Sequence, residues 1–240
     1  MDNIKIYVIT HKEVNKKMSY PYEYLLVGAN KNKAEITLKD NNGITISDKN
    51  PDYCELTGLY WIWKNTNEQV CGFVHYRRFF MTQKIIDEKK INKYLGKSDL
   101  ILAKKYNLSK TIFSIYKESN LYDYYIVLKK VISEKYPNYI ETFVKVFNRK
   151  FTIPYNMMIC KKETLNNYCE WLFDILFEVE ERVNSEKIKY VPRAYGYLSE
   201  NLLIIWTLVN QKKVKYVSVY NTEQSILKQK LQNIVRVLKR

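Results

Sequence analysis

A group of polar side chains interrupts an apolar run in GFVHYRRFF, residues 72–80. His75 and Tyr76 precede the adjacent arginines Arg77 and Arg78, and two phenylalanines follow. A guanidinium packed beside aromatic rings loses hydration and needs an anionic or hydrogen-bonding partner, and arginine can hold phosphate oxygens with two parallel hydrogen bonds. We therefore expect Arg77 and Arg78 to bind a diphosphate. The alternative is a pair of solvated arginines at a strand end.

The charge balance of the whole chain also favours an anionic partner. Forty Lys and Arg residues against 25 Asp and Glu give a formal net charge of +15. Such an excess suits nucleic acid, an anionic membrane surface or a phosphorylated small molecule, although the Lys, Asn, Ile and Tyr richness also resembles the product of an AT-rich genome. With 240 residues, 46% hydrophobic and 15% aromatic, the chain is too apolar to be disordered and is long enough for one domain.

The cysteines and histidines show no metal-binding pattern. Neither a CxxC pair nor a ligand-like spacing to His11 or His75 occurs, so we expect no structural zinc site. Buried free thiols in a reducing cytosol explain the cysteines best. They are Cys54, Cys71, Cys160 and Cys169.

The order of hydrophobic patterns predicts the fold. The chain enters a strand-like pattern directly, without a signal-peptide pattern, and no apolar run is long enough for a membrane span. Alternation of strands and helices favours one α/β domain over 1–221, with a mostly parallel central sheet flanked by helices, followed by an amphipathic helix over 222–240. Extended segments are predicted at 5–10, 24–29, 70–76, 99–105, 151–160 and 214–220, and helices at 52–64, 84–95, 121–136, 139–148, 162–183, 198–210 and 222–240.

Two predicted strands end in polar residues. Thr10, His11 and Lys12 follow the first strand, and the His75 to Arg78 group follows the third. In sheets of this class, ligands collect beyond the carboxyl ends of the strands. The sequence therefore predicts one shared crevice at that edge.

Four long blocks of the chain resemble a known family. The blocks span residues 46–65, 72–80, 154–183 and 193–203, beginning with ISDKNPDYCELTGLYWIWKN and ending with RAYGYLSENLL. In this order they resemble a bacterial family of capsular and exopolysaccharide glycosyltransferases that was long catalogued as a domain of unknown function. The resemblance covers nearly the whole chain.

The resemblance implies a GT-A-like enzyme that moves galactofuranose or another hexose from a UDP-sugar to a lipid-diphosphate-linked oligosaccharide. It further implies work in the cytoplasm, at the inner face of the plasma membrane. Ordinary GT-A enzymes hold a divalent metal with Asp-x-Asp at the end of the donor strand, and here His75, Tyr76 and Arg77 take that place. A metal requirement is therefore doubtful, no metal ligand or other cofactor is assigned, and the arginines would stabilise the departing nucleoside diphosphate.

Further donor contacts are implied near the base and ribose. Thr10, His11 and Lys12 occupy the position at which GT-A-like sheets bind the base and ribose of the nucleotide. The alternative is that these three residues are only a capped strand end with a surface lysine. Asp48, Asn50 and Tyr53 lie where a polar loop enters a helix, so turn and cap chemistry explains the first two equally well. Glu55 is divided in the same way between a site residue and a first-turn acid.

A general base is also needed, and Glu200 is the candidate. Its place at the start of a predicted helix resembles that of the base in inverting GT-A enzymes, whereas Ser199 as a cap and Glu200 as a dipole partner form the alternative. A retaining reaction would change the role of Glu200 and leave the donor site unchanged. The predicted acceptor contacts, which could also be ordinary strand and loop residues, are Asn156, Met157, Arg193 and Tyr195.

The last predicted helix has an apolar stripe among basic residues. This pattern suits an anionic membrane surface, and packing on the catalytic domain is the alternative. The rival function for the whole chain is a non-catalytic, basic nucleic-acid-binding protein. Because no nucleic-acid-binding motif is recognisable, we expect no nucleic acid among the partners.

Overall fold

Nine strands lie in the part of the chain that the computed structural model describes, which comprises residues 3–14 and 17–224. They are β1 (Ile4–Thr10), β2 (Tyr22–Leu26), β3 (Val70–His75), β4 (Arg78–Met81), β5 (Leu100–Ala103), β6 (Tyr106–Asn107), β7 (Phe151–Thr152), β8 (Met158–Lys161) and β9 (Val214–Asn221).

The helices of the same residues alternate with these strands. They are α1 (Asn50–Tyr53), α2 (Leu56–Asn65), α3 (Glu88–Leu95), α4 (Ile112–Lys117), α5 (Tyr122–Lys135), α6 (Ile140–Phe147), α7 (Lys162–Ser185) and α8 (Ala194–Val209), with 3-10 turns at Ser47–Lys49 and Pro137–Tyr139. The predicted α/β domain with a central sheet and flanking helices is confirmed.

The central sheet is mixed, which corrects the prediction of a mostly parallel sheet. Strands β2, β1 and β3 run parallel, as do β5 and β9, whereas β3 with β8, β8 with β5, β9 with β4 and β4 with β3 are antiparallel. The sequence misleads here because the apolar residues of β4 resemble a continuation of β3. In the structure His75 pairs with Arg78, so Tyr76 and Arg77 form a two-residue turn and the chain reverses.

Strand β3 lies at the centre of this sheet and is buried from Val70 to Val74. Its partner β8 approaches closely at Gly72, where an added Cβ would lie 2.1 Å from the backbone oxygen of Met158. Only glycine allows this approach. The position of His75 at the end of β3 therefore depends on a residue three places earlier.

Helix α7, with 24 residues, packs on one face of the central sheet. Its buried residues recur at helical spacing from Leu165 to Val183, and they pack on β3, β8, α2, α5 and α8. The helix predicted over 162–183 is confirmed, with two further residues at its end. Charged residues such as Glu170 and Asp174 are exposed on its outer face, as an amphipathic helix requires.

Several predicted helix boundaries are wrong: α3 begins at Glu88, four residues after the predicted start at 84, and two further errors bear on the site. The helix expected over 52–64 is broken at Cys54, whose φ of 51° and ψ of −126° divide it into α1 and α2. The helix expected from Leu198 begins four residues earlier, at Ala194, after Arg193 in the left-handed conformation. Glu200 therefore lies in the second turn of α8. It does not open the helix, so interaction with the helix N-terminus does not explain it.

The C-terminal helix predicted over 222–240 lies outside the described residues from position 225 onward. Within the described ranges, none of the helices combines the length and the apolar content that a membrane crossing requires.

Candidate active site at the carboxyl edge of the sheet

The parallel strands β1, β2 and β3 end at the same edge of the sheet. Backbone hydrogen bonds join the residues just beyond them, from Val27 N to Thr10 O at 2.9 Å and from Tyr76 N to Ile9 O at 3.0 Å. Polar residues that are far apart in the sequence therefore meet there. They form an acidic group around Glu200 and a basic group around Arg77, and further polar residues line a cleft beside β2.

Glu200 is the centre of the acidic group. Its Oε1 accepts a hydrogen bond from the backbone N of Tyr155 at 2.9 Å. Burial raises the pKa of Glu200 to about 7, and the negative charge of Glu55 adds to this shift, whereas the Tyr155 hydrogen bond, Arg78 and Arg193 oppose it. A carboxylate with such a pKa can accept a proton near neutral pH.

The turn at Tyr155 and Asn156 connects Glu200 to β3. The His75 Nε2 lies 2.9 Å from the carbonyl oxygen of Tyr155, to which it donates, and the Arg78 guanidinium lies over the Tyr155 ring at 4.5 Å. Burial lowers the pKa of His75, so its imidazole is neutral and the carbonyl fixes the tautomer. Both ends of the Tyr155 backbone are thus bound by ionisable side chains.

The side chain of Asn156 links three elements. Its Nδ2 donates to Glu55 Oε1 at 2.7 Å and to the carbonyl oxygen of Gly196 at 3.1 Å. Glu55 precedes α2, and Gly196 lies in the first turn of α8. Asn156 is itself buried, so this amide is an internal tie.

Arg193 borders the same group from the start of α8. Its Nε donates to Cys54 Sγ at 3.3 Å, and its guanidinium lies 5.7 Å from the centre of the Tyr197 ring. Arg193 remains exposed, and burial raises the pKa of the Cys54 thiol, which therefore stays protonated at neutral pH. Arg193 is thus available to an anionic ligand.

Backbone strain is concentrated at this place. Of the six non-glycine residues with positive φ in the described chain, four lie here as two pairs: Cys54 with Arg193, which are hydrogen-bonded, and the chain neighbours Tyr155 and Asn156. Left-handed conformations are unfavourable for residues with a Cβ and persist where surrounding contacts hold them, which is common at functional sites. The clustering therefore favours this edge of the sheet as the candidate active site.

The basic group is built on the β3–β4 turn. Glu223 bridges Arg77 Nη1 at 2.9 Å and Lys12 Nζ at 3.4 Å, and the Lys12 ammonium lies 4.7 Å from the centre of the Tyr76 ring. The Nε of Arg77 is buried, with no partner among the described residues. A carboxylate thus lies between two cations, and the Arg77 Nε remains an unused donor.

His11 and Thr10 complete the basic group. The His11 ring contacts the Tyr76 ring edge to face, with 5.4 Å between centroids. Burial, Lys12, Arg77 and Arg193 all lower the pKa of His11, which keeps it neutral and able to accept a hydrogen bond. Thr10 is buried, and its hydroxyl donates to the Lys12 carbonyl at 2.7 Å, so it shapes the loop.

A cleft of about 240 Å³ lies beside the end of β2. Its lining includes Gly28, Asn32, Asp48 and Asn50. The Asn32 side chain also donates to the His11 carbonyl at 2.6 Å, which joins the cleft to the basic group. Asp48 is exposed, whereas the amide of Asn50 donates to Cys54 O at 2.7 Å and so holds the break between α1 and α2.

Three other predicted site residues lie in the interior. Tyr53 stacks on Tyr195 with 4.6 Å between ring centroids, and its hydroxyl donates to Glu180 Oε2 at 3.0 Å. Met157 is 1% exposed and follows the strained turn. These side chains are part of the core beneath the candidate site. The residues that the structure gathers at this edge of the sheet are His11, Lys12, Glu55, His75, Tyr76, Arg77, Arg78, Arg193 and Glu200.

Sequence reasoning missed Tyr155 and Glu223. Tyr155 acts through its backbone, which a side-chain motif does not reveal, and the positive φ of a tyrosine has no sequence signal. The sequence pattern assigns Glu223 to a terminal helix, away from the strand ends. Across the described ranges, three or more His, Cys, Asp or Glu side chains nowhere gather in positions to hold a metal ion.

Comparison with known proteins finds similarity to a protein family and to a solved structure. The model of the family described as Domain of unknown function (DUF4422) matches residues 5–212. The apo structure of WbbM, a bifunctional glycosyltransferase, is similar with a TM-score of 0.81 and 26% identity, over 93% of this chain and 46% of that one. The chain thus spans less than half of the WbbM chain. No curated protein matches.

Proposed function

The chain belongs to the DUF4422 family, and we propose that it is a glycosyltransferase of the GT-A kind. The observation that carries the proposal is that Glu200, whose pKa is about 7, lies at the same sheet edge as Arg77 of the β3–β4 turn and Arg78 at the start of β4. The likeness to a bifunctional glycosyltransferase supports the reaction class.

The proposed donor is a UDP-sugar, with galactofuranose or another hexose as the group transferred. The diphosphate binds between Lys12, Arg77 and Arg78, and the unused Nε of Arg77 is a donor that a phosphate oxygen can reach after Glu223 moves. The base and ribose bind toward His11 and the cleft that contains Asp48 and Asn50. Neutral His11 suits hydrogen bonding to an uncharged group.

The proposed reaction is a direct displacement with inversion. An acceptor hydroxyl oxygen attacks the anomeric carbon, the bond from that carbon to the diphosphate oxygen breaks, and its electron pair leaves with the diphosphate. Arg77 and Arg78 stabilise the charge that develops on this leaving group. Glu200 takes the proton of the acceptor hydroxyl, which requires its carboxylate to be ionised beforehand.

The proposed acceptor is a lipid-diphosphate-linked oligosaccharide in capsular or exopolysaccharide synthesis, met at the cytoplasmic face of the membrane. Exposed Arg193, which contacts Tyr197 and Cys54, is the side chain best able to bind its phosphate. Buried Asn156, Met157 and Tyr195 shape the acceptor side through packing.

A donor screen tests this function. The purified protein is incubated with UDP-galactofuranose, UDP-galactose, UDP-glucose and their N-acetyl relatives plus a synthetic lipid-linked acceptor, with and without EDTA. We expect turnover of one donor that persists in EDTA, because arginines replace the Asp-x-Asp pair. Loss of turnover in EDTA with recovery in manganese would overturn the metal-free part. Absence of glycosyl transfer from every donor, together with tight salt-sensitive binding of nucleic acid, would favour the rival function.

A further inference from the structure

The Tyr155–Asn156 turn is strained, so something must hold it. Both residues have left-handed φ values, 83° and 55°, and Tyr155 is not a residue that accepts this conformation easily. The turn nevertheless carries two functional contacts, from the Tyr155 N to Glu200 and from His75 to the Tyr155 O. A change in the turn would move both.

We propose that Glu55 and Asn156 form a positioning pair that fixes this turn against α8 and thereby sets the place of the Glu200 carboxylate. The inference rests on the proposed function for its catalytic meaning. Neither residue needs to touch substrate, because both act through the backbone of Tyr155.

The hydrogen bonds of Asn156 carry the argument. Both hydrogens of its buried Nδ2 are used, one by Glu55 Oε1 at 2.7 Å and one by Gly196 O at 3.1 Å. Its Oδ1 is buried without a partner in the described part of the chain. Burying the Asn156 Oδ1 without a partner costs free energy, so the contribution of this side chain comes from the two hydrogen bonds of its Nδ2. These two bonds link the turn to the start of α2 and to α8.

Glu55 has a second effect through its charge. The ionisable groups that influence Glu200 are Glu55, Arg78 and Arg193, and Tyr116 beneath α8 senses Glu200 in turn. Glu55 is the one carboxylate among these groups, so its negative charge favours the protonated form of Glu200. One substitution can therefore test the effect of the Glu55 charge on Glu200, and another can test the effect of the Asn156 hydrogen bonds.

Glu55→Gln removes the charge and keeps an oxygen that can accept from Asn156. We expect the pKa of Glu200 to fall, because the negative charge that favours its protonated form is gone. Asn156→Ala removes the tie and keeps the charge. We expect kcat to fall at least tenfold, with the donor KM within about threefold, since general acid–base groups contribute about 10²- to 10⁴-fold when correctly placed.

The pKa of Glu200 is read by NMR titration of protein labelled at the Glu side-chain carboxyl carbons, with the Glu200 signal assigned through Glu200→Gln. Glu118→Gln, which neutralises an exposed partner of Lys110, is the matched control and should leave pKa and kcat unchanged. An unchanged Glu200 pKa in Glu55→Gln, or a kcat within twofold of wild type in a folded Asn156→Ala, would overturn the pair.

Asn156→Asp guards against a variant that fails to fold. It keeps the side-chain size but places a carboxylate against Glu55, so we expect a loss of activity. Adding Glu55→Gln should partly restore activity, because the amide introduced at position 55 can donate to the carboxylate introduced at position 156. No restoration would count against the pair. If the titration responds as expected but wild type transfers no sugar, the pair stands and the glycosyltransferase proposal falls.

Discussion

At the residue scale, burial decides the chemistry of Glu200. Desolvation raises its pKa to about 7 although a backbone hydrogen bond and two arginines act in the opposite direction. The sequence left two interpretations of Glu200 open, a general base or a residue that favours the helix N-terminus, and its position in the structure distinguishes them. Glu200 lies in the second turn of α8, and Ser199 donates to Gly196 O within that helix at 2.8 Å, so neither is a helix cap.

The raised pKa of Glu200 has a consequence for stability. A carboxyl group whose folded pKa exceeds its unfolded value contributes stability below about pH 4.5, and this contribution is lost as pH rises to about 7. Glu200→Gln avoids that loss. Relative to wild type, we expect it to gain on the order of 3 kcal/mol in free energy of unfolding between pH 4 and pH 8. Urea unfolding at both pH values measures the gain, and a constant difference would show that Glu200 is not desolvated.

Glu223 and Arg77 give opposite predictions for donor binding. Glu223 lies between Lys12 and Arg77, where we propose that the diphosphate binds, so Glu223→Gln should tighten UDP binding about two- to fivefold, as expected for removing one exposed ion-pair partner. Arg77→Ala or Arg78→Ala should weaken it more than tenfold, because each charge-assisted hydrogen bond contributes about 1.5 to 3 kcal/mol.

Calorimetric titration with UDP measures these affinities, and Glu118→Gln serves as the charge-matched control for Glu223→Gln. Weaker binding in Glu223→Gln would show that Glu223 helps to hold the nucleotide. Unchanged UDP affinity in both arginine variants would show that the diphosphate does not bind at Arg77 and Arg78.

At the element scale, long patterns were predictable and local reversals were not. Helix α7 follows from its repeated apolar face, and β1 and β3 follow from short apolar runs. The β3–β4 turn was missed because Arg78 to Met81 continues the run after His75 without a glycine or proline. The break at Cys54 and the early start of α8 depend on positive φ values at Cys54 and Arg193, which the residue types do not announce.

The approach of β8 to β3 gives a prediction at this scale. Gly72→Ala would place a methyl group 2.1 Å from Met158 O, and backbone atoms cannot move aside easily. We expect a loss of about 3 kcal/mol or more in free energy of unfolding, at the upper end for overpacked positions. Gly96→Ala is the matched control, because its nearest non-adjacent atom is 3.3 Å away and its φ is −66°. Equal stability of the two variants would contradict the tight β3–β8 contact.

At the scale of the whole molecule, the sheet brings the site together. Residues from Thr10 to Glu223 meet at one edge because β1 and β3 end there and β4 turns back to pair with β9. The sequence predicted that polar strand ends would share a crevice. It could not supply the contacts made by Tyr155 and Glu55, because these depend on side-chain and backbone positions from elements more than 40 residues apart.

The most direct test of the central claim is the pH dependence of kcat/KM for UDP-sugar transfer, in wild type and in Glu200→Gln. For a single base with a pKa of about 7, the rate should rise about tenfold per pH unit below 7 and level off above it. Glu200→Gln should bind UDP as wild type does and lose this rise together with at least 99% of the activity, following the usual contribution of about 10²- to 10⁴-fold. A Glu200→Gln enzyme that keeps a third of the activity, or the same pH profile, would contradict the assignment of Glu200 as the base.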